Sequence, residues 1–197
     1  MDAKGIFHSP QINYNYNMLS FGIDLAGKEK NKTGICVLKD SEASTQILHF
    51  DKEILDIVIK FKPDIIAIDA PFLLKPKIRK CDRELKKYGA FAPTMKSMHG
   101  LSKRGYLLAE QLRKLNFEVI EVFPTASAKI LGIYSKNINA MVQKLNLLGI
   151  VVSNKIATKH ELDAIISAFT GALYLRGLTN SIGNASEGVI VVPRSLQ

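Results

Sequence analysis

Four acidic residues stand at the ends of apolar segments, where a fold could bring their carboxylates to one place. Asp24 and Asp69 each end an apolar run, and Glu121 follows a third. Asp163 lies near the start of a stretch in which apolar residues recur at helical spacing. Three carboxylates at strand ends and one on a helix predict an oxygen-lined site for a divalent metal ion.

The chemistry of such a site follows from the charge of its members. Neighbouring carboxylates repel one another, so protons or a cation must neutralise them. Mg²⁺ prefers oxygen ligands and leaves positions for water and substrate phosphate, and a pair of such ions can promote phosphodiester hydrolysis. We therefore predict Mg²⁺ or Mn²⁺ as the cofactor, held by Asp24, Asp69 and Asp163. Glu121 is the fourth candidate catalytic residue, as an outer ligand or the partner of a ligand, and His160 is a candidate proton carrier.

The same residues also have purely structural interpretations. An Asp that follows a strand is often a turn former or a helix cap. Glu121 could pair with Arg79 or with a lysine, and Asp163 could complement a helix dipole. His160 could be an ordinary surface residue. Asp69 favours the functional interpretation, because a charge at the end of an apolar strand brings no obvious packing benefit.

The predicted elements explain how distant acids could meet. The hydrophobic pattern predicts strands at 21–25, 33–38, 45–50, 65–69 and 118–123, and helices at 51–61, 82–88, 101–116, 136–148 and 161–176. Short loops between the first three strands favour antiparallel hairpins. An edge strand is also predicted at 188–192.

The order β-β-β-α-β-α-β-α is typical of the ribonuclease-H-like three-layer α/β fold. Right-handed crossovers would place strands four and five parallel to strand one. The predicted sheet is mixed and five-stranded, in the order 3-2-1-4-5 with strand 2 antiparallel, and has helices on both faces. The carboxyl ends of strands one, four and five would then share the edge where ligands collect in open α/β sheets.

Length and composition predict an ordinary globular protein. The 197 residues are 47% hydrophobic and 23% charged, which predicts one domain, at 18–197, after a flexible N-terminal leader at 1–17. No apolar run approaches the ~18 residues of a membrane span, and no secretory signal begins the chain. Cys36 and Cys81 have no metal-binding spacing and make a poor disulfide framework. We therefore expect a cytoplasmic location and no membrane partner.

Basic residues are concentrated in one segment, 75–104, which carries ten basic and two acidic residues and thus +8 of the net charge of +9. A cationic segment attracts polyanions, so we expect nucleic acid, either DNA or RNA, as the partner. The alternative is a lysine-rich solvated helix face. The residues predicted to contact substrate phosphates are Arg79, Lys80, Arg83 and Lys86.

Several motifs in the same order resemble the domain of unknown function 429 family, over roughly residues 21–193. They lie at 22–26 with 33–34, 68–71, 79–85, 121–124, 163–164 and 187–193. The resemblance implies a ribonuclease-H-like fold and a metal-dependent nuclease by analogy with ribonuclease H and Holliday-junction resolvases. In those enzymes acids follow the first and fourth strands and lie on the last helix, which matches Asp24, Asp69 and Asp163. Glu121 has no standard counterpart there.

Two other functions remain open at this point. The actin and sugar-kinase superfamily shares this sheet order and also has an Asp at the end of its first strand, so a nucleotide-binding phosphotransferase is one alternative. The loop that holds Gly27 fits that alternative only weakly, because the chain has neither a Walker motif nor a G-x-G-x-x-G motif. A non-catalytic nucleic-acid-binding module that uses the basic segment alone is the other.

Overall fold

The elements of the fold are those of a computed structural model that describes residues 17–195. Its strands are β1 (Leu19–Asp24), β2 (Thr33–Lys39), β3 (Glu42–Leu48), β4 (Ile65–Asp69), β5 (Val119–Glu121), β6 (Val151–Val152), β7 (Thr179–Asn184) and β8 (Gly188–Pro193). Its helices are α1 (Asp51–Phe61), α2 (Lys80–Leu85), α3 (His99–Lys114), α4 (Pro124–Ile130), α5 (Ile138–Leu147) and α6 (Lys159–Leu175). The leader predicted at 1–17 lies outside the described residues, apart from its last residue.

The main sheet confirms the predicted strand order and extends it by one strand. Its order is β5-β4-β1-β2-β3-β6, in which β2 is antiparallel to β1 and β3. β4 and β5 are parallel to β1, as right-handed crossovers require. The additional strand β6 has two residues and pairs with the start of β3. A strand so short has no periodic pattern that a sequence can reveal.

The predicted edge strand at 188–192 belongs to a separate hairpin. Residues of β8 pair with β7 along their whole length and form a two-stranded sheet. This hairpin touches the main sheet through a bridge between Val122 and Val191, just beyond β5. The strand predicted at 188–192 is therefore confirmed. It pairs with β7, the strand that precedes it in the chain, and does not extend the main sheet.

Helices cover both faces of the main sheet. One apolar cluster joins β2 and β3 to α4, α5 and α6, and a second joins β1, β2 and β4 to α1 and α3. The continuous apolar sequence of β4 fits this position, since a strand covered on both faces has no polar side. None of the helices within residues 17–195 has the length and apolar character that crossing a membrane requires.

Helix α6 lies unusually close to the sheet, because small residues face each other across the contact. A Cβ atom at Gly22 in β1 would overlap the carbonyl oxygen of Ala164, and one at Gly34 in β2 would overlap that of His160. The backbone of α6 therefore rests directly on the two strands. This contact fixes the height of the first turn of α6 above the ends of the strands.

Replacing Gly34 by Ala tests this contact. The added methyl group must push α6 away from β2, and overpacking of this kind costs typically about 1–3 kcal/mol. We expect the free energy of unfolding to fall by that amount in urea denaturation. Gly27→Ala is the control for the general cost of replacing glycine, because Gly27 has no positive φ and the nearest atom to an added Cβ would lie 3.4 Å away. Unchanged stability of Gly34→Ala would contradict the close contact.

Candidate functional site

Asp24 and Asp69 are direct neighbours at the carboxyl ends of two parallel strands. They pair in register, as the last residues of β1 and β4. Side chains alternate along a strand, so Asp24 shares the face of Gly22, which lies against α6. Asp69 shares the face of Ala67, which packs beside Gly171 of the same helix. Both carboxylates therefore lie on the side of the sheet that α6 covers.

The first five residues of α6 add the polar side chains of Lys159, His160 and Asp163 to this pair. A capping box fixes the start of the helix: Thr158 Oγ1 accepts from the N–H of Glu161 at 3.2 Å, and Glu161 Oε2 accepts from the N–H of Thr158 at 2.9 Å. His160 Nδ1 then lies 2.6 Å from Asp24 Oδ2. Lys159 Nζ lies 2.9 Å from Asp163 Oδ2.

Burial and mutual repulsion shape the protonation of the three aspartates. Burial raises the pKa of Asp24 to about 6, with a contribution from the charge of Asp163, although the hydrogen bond from His160 opposes the rise. Burial and the charges of Asp24 and Asp163 raise the pKa of Asp69 well above its usual range. Burial also raises the pKa of Asp163, against the bond to Lys159. Placed together, the three carboxyls resist ionisation.

Lys159 is a functional candidate that the sequence did not single out. The side chain is mostly exposed, and the partial loss of water around its ammonium would lower its pKa, but the bond to Asp163 and the charges of Asp24 and Asp69 raise it. The ammonium therefore supplies positive charge to the aspartates. The four-residue spacing to Asp163 on one helix face is the signal that could have indicated it.

A cavity of about 300 Å³ opens over these residues. Polar groups of Asp24, Asp69 and Asp163 line one side, and apolar side chains from the segment before α3 and from its first turn line another, among them Phe91 and Leu101. This volume is at the lower end of small-molecule sites, which begin at about 300 Å³. It can therefore hold a phosphate group with part of what is attached to it.

Glu121 lines the same cavity, but its carboxylate has other partners. It pairs in register with Ile68, whose side chain points away from that of Asp69. Its two carboxylate oxygens accept from Arg79 Nη1 at 2.7 Å and Nη2 at 2.6 Å, and Oε2 also accepts from the N–H of Phe72. Burial raises the pKa of Glu121, and the Arg79 guanidinium opposes that rise. The pairing with Arg79 is the structural alternative that the sequence offered.

Arg79 holds a second acid as well. Its Nε and Nη2 donate to the carboxylate of Asp82 at 3.1 and 2.8 Å. The side chain is only 1% exposed. Burial would lower the pKa of Arg79, but its bonds to Glu121 and Asp82 raise it above the ordinary value. The guanidinium is thus fully engaged with protein carboxylates and ties α2 to β5.

The basic segment divides into buried and exposed residues. Arg104 is buried like Arg79, and donates to the carbonyl oxygens of Ala26 at 2.7 Å and His49 at 2.9 Å. It therefore holds the loop that follows Asp24. The other eight basic residues of 75–104 are exposed. Among them are the predicted phosphate contacts Lys80, Arg83 and Lys86, which lie on and just after α2 and do not line the cavity of the aspartates.

The aspartates have the donor chemistry that a hard divalent cation requires, since all offer carboxylate oxygens. Burial raises the pKa of each, so ionising them is unfavourable without a cation. Within residues 17–195, no three Asp, Glu, His or Cys side chains are already arranged as ligands of one ion. Lys159 and His160 instead contact the oxygens of Asp163 and Asp24. The residue types fit a metal, and binding would require these two contacts to adjust.

Comparison with solved structures shows the fold. The chain is similar to RuvC of Thermus thermophilus in complex with a Holliday junction substrate, with a TM-score of 0.51 and 17% sequence identity over 81% of this chain and 96% of that chain. A second Thermus thermophilus RuvC structure gives a TM-score of 0.50 with the same identity and the same shares. These likenesses establish the ribonuclease-H-like fold.

Sequence comparison gives the family. Among curated proteins, no sequence matches the chain. A family model, in contrast, covers most of its length, and the resemblance of its motifs is thereby confirmed. The chain belongs to the family described as "Protein of unknown function (DUF429)", whose model matches residues 22–187.

Proposed function

We propose that this protein is a metal-dependent nuclease that hydrolyses phosphodiester bonds of DNA or RNA. One observation supports the proposal above all others: aspartates from β1, β4 and α6 lie together at the carboxyl ends of the strands, where burial raises the pKa of each and the charge of Asp163 adds to the rise for Asp24 and Asp69. Such an arrangement is unfavourable for folding and is typical of a functional site. The ribonuclease-H-like fold is consistent with this reaction class without fixing it.

The ligands of the proposed Mg²⁺ or Mn²⁺ are Asp24, Asp69 and Asp163. When bound, the cation would polarise the scissile phosphate and make an attacking water more acidic. Asp24 and Asp69 are supplied by neighbouring strands of a rigid sheet, so their spacing is fixed before any ligand arrives. Asp163 is supplied by a helix whose height is fixed by the glycine contacts.

His160 and Lys159 have complementary roles in this proposal. His160 contacts Asp24 through Nδ1, which leaves Nε2 free to accept or deliver a proton in the cavity. Lys159 carries a positive charge beside Asp163 and can pair with a substrate phosphate once a cation has taken over the carboxylate. Both residues lie within the first turn of α6, directly over the strand ends.

The substrate class rests on charge. Eight exposed basic residues at 75–103 can attract a phosphate backbone, and Lys80, Arg83 and Lys86 remain our proposed phosphate contacts outside the cavity. The RuvC structure contains a Holliday junction, which supports nucleic acid as the partner here. For Glu121 and Arg79 we propose a supporting role, because their charged groups are bonded to each other.

A cleavage assay tests this function. The purified chain is incubated with single-stranded, double-stranded and junction DNA and with RNA, in Mg²⁺, in Mn²⁺ and in EDTA. We expect cleavage of at least one substrate with a metal ion and none in EDTA. Asp163→Asn is expected to reduce the rate by on the order of 10²-fold or more, since it removes one preorganised charge from the site.

Asp56→Asn, purified in parallel, controls for contaminating nucleases and for the change of an acid to an amide, because Asp56 is exposed on α1. Cleavage at the parent rate by Asp163→Asn would contradict the proposal. If no substrate is cut, two results identify the alternatives. Protection from heat unfolding by ATP with Mg²⁺, but not by oligonucleotides, would favour a phosphotransferase. Salt-sensitive binding that EDTA does not change would favour a binding module.

A further inference from the structure

A second cavity of about 330 Å³ lies next to the cavity of the aspartates. Three residues line both, namely Thr125, Lys159 and Asp163. The two cavities are therefore adjoining compartments separated by the Lys159–Asp163 pair. The second compartment is large enough for a small organic ligand, whose sites begin at about 300 Å³.

The lining of the second cavity differs from that of the first. Its floor is apolar, with Met141, Leu162 and Ala128 from three different helices. The ring of Tyr134 forms part of its wall and is 43% exposed. Lys129 Nζ lies 5.0 Å from the centre of that ring and makes a cation–π contact with it. Lys129 does not line the cavity. An apolar floor with an accessible aromatic ring suits a flat, weakly polar group.

The rim of the cavity carries positive charge and hydrogen-bonding groups. Lys136 and Lys159 are exposed cations that line the cavity, and Thr125, Tyr134 and Ser135, which carry hydroxyl groups, line it as well. A flat ring attached to an anionic backbone would satisfy the floor and the rim together. Nucleobases of a polynucleotide have this chemistry, because every base has a π-face and every linkage has a negative charge.

We propose that this second cavity is a nucleobase subsite, which binds the base next to the phosphate held at Asp24, Asp69 and Asp163. The inference rests on the proposed function, since it takes a nucleic acid strand as the ligand of the first cavity. Tyr134 stacks on the base, and the hydroxyl groups of Thr125 and Ser135 contact its edge. The site therefore selects an unpaired or extruded base beside the reacting bond, because a base stacked inside a duplex cannot reach the apolar floor of the cavity.

Binding of mononucleotides tests the subsite without any cleavage. Affinities of AMP, GMP, CMP and UMP are measured by calorimetry in Mg²⁺ and compared with that of ribose 5-phosphate, which has the same sugar and phosphate but no base. We expect at least one nucleotide to bind roughly tenfold or more tightly than ribose 5-phosphate, the size of one base–aromatic stack. Tyr134→Ala should remove this advantage.

Tyr106→Ala is the matched control, because Tyr106 lines a different groove beside β5, and it should keep the preference for nucleotides. Equal affinities for ribose 5-phosphate and all four nucleotides would overturn the subsite, and so would an unchanged preference in Tyr134→Ala. Absence of detectable nucleotide binding by the parent chain would overturn it as well. Each of these results leaves the cleavage assay untouched, so a failed subsite and a failed nuclease can be distinguished.

Discussion

Replacing Asp69 by Asn is expected to abolish cleavage and to make the protein more stable. The variant loses a proposed metal ligand, so its rate should fall by on the order of 10²–10³-fold or more. It also loses a buried negative charge that lies beside Asp24 and near Asp163. A substitution that removes an unfavourable interaction of this kind commonly raises the free energy of unfolding by about 0.5–2 kcal/mol. A lower cleavage rate together with a higher stability would indicate that Asp69 is present to bind a ligand and not to stabilise the fold.

The stability gain should depend on pH in a defined direction. The pKa of Asp69 is higher in the folded chain than in the unfolded chain, so the folded chain binds the proton more tightly. Stability of the parent therefore decreases as the pH rises through the folded pKa values of the cluster, of which that of Asp24 is about 6. Urea denaturation in EDTA should show the largest gain for Asp69→Asn near pH 8 and the smallest near pH 4.

Mg²⁺ should reverse the ranking of parent and variant. A ligand that binds only the folded state stabilises it according to its concentration and affinity. The parent should gain stability from millimolar Mg²⁺ at pH 8, whereas Asp69→Asn should gain little. Asp56→Asn should behave as the parent does. If Asp69→Asn were less stable than the parent at pH 8 in EDTA, other groups of the protein would already neutralise the Asp69 carboxylate. That result would contradict the claim that the aspartates destabilise the folded chain without a cation.

Removal of the Arg79 guanidinium should be the most destabilising of the substitutions considered. Arg79→Met leaves Glu121 and Asp82 buried, with side chains only 4% and 6% exposed. Loss of one partner of a buried ion pair costs roughly 3–5 kcal/mol, because the remaining charge has no compensation. We expect a decrease of that size in the free energy of unfolding by urea denaturation at pH 7.

Arg83→Met is the matched control for this change. Arg83 is on α2, which begins directly after Arg79; its side chain is 60% exposed, and its guanidinium lies 4.0 Å from Glu187. An exposed pair of this kind contributes at most about 1 kcal/mol, so its removal should have a small effect. Similar losses for both arginine variants would contradict the buried cluster.

Glu121→Gln separates the two interpretations of Glu121. The amide keeps the shape of the side chain but gives up the charge that Arg79 pairs with. As a supporting residue, Glu121 should affect stability and leave the Mg²⁺ affinity of the folded chain within about twofold. As a ligand, or as the hydrogen-bonded partner of a ligand, its replacement should weaken metal binding by roughly 10–100-fold or more.

Much of the fold follows from periodicity and from local signals. The helix at 51–61 and the strand at 65–69 agree with the structure residue for residue, since Lys62 in a left-handed conformation and Pro63 separate them clearly. The strand order follows from handedness rules that need no side-chain detail. The meeting of Asp24 and Asp69 follows in turn, because equivalent ends of parallel strands share one edge.

The remaining features depend on contacts that no local pattern encodes. Helix α4 begins two residues after β5 and has only seven residues, which are too few to show a helical period, and Pro124 at its first position is its one local signal. Glu121 pairs with Arg79, which lies 42 positions earlier in the chain. The pair forms only because the register of β5 turns the Glu121 side chain towards that arginine. The charge count assigned Arg79 and Arg104 to the basic segment expected to attract polyanions, although both are buried. The net charge of a segment can predict an anionic partner. Which of its basic side chains can contact that partner depends on how the segment packs in the fold.

Anomalous scattering from crystals soaked in Mn²⁺ tests the central claim most directly. The proposed ligands predict a manganese peak between the carboxylates of Asp24, Asp69 and Asp163, with Lys159 moved away from Asp163, and no such peak in crystals of Asp69→Asn. A parent crystal without a peak at this place, in which Lys159 keeps its 2.9 Å contact with Asp163, would contradict the account.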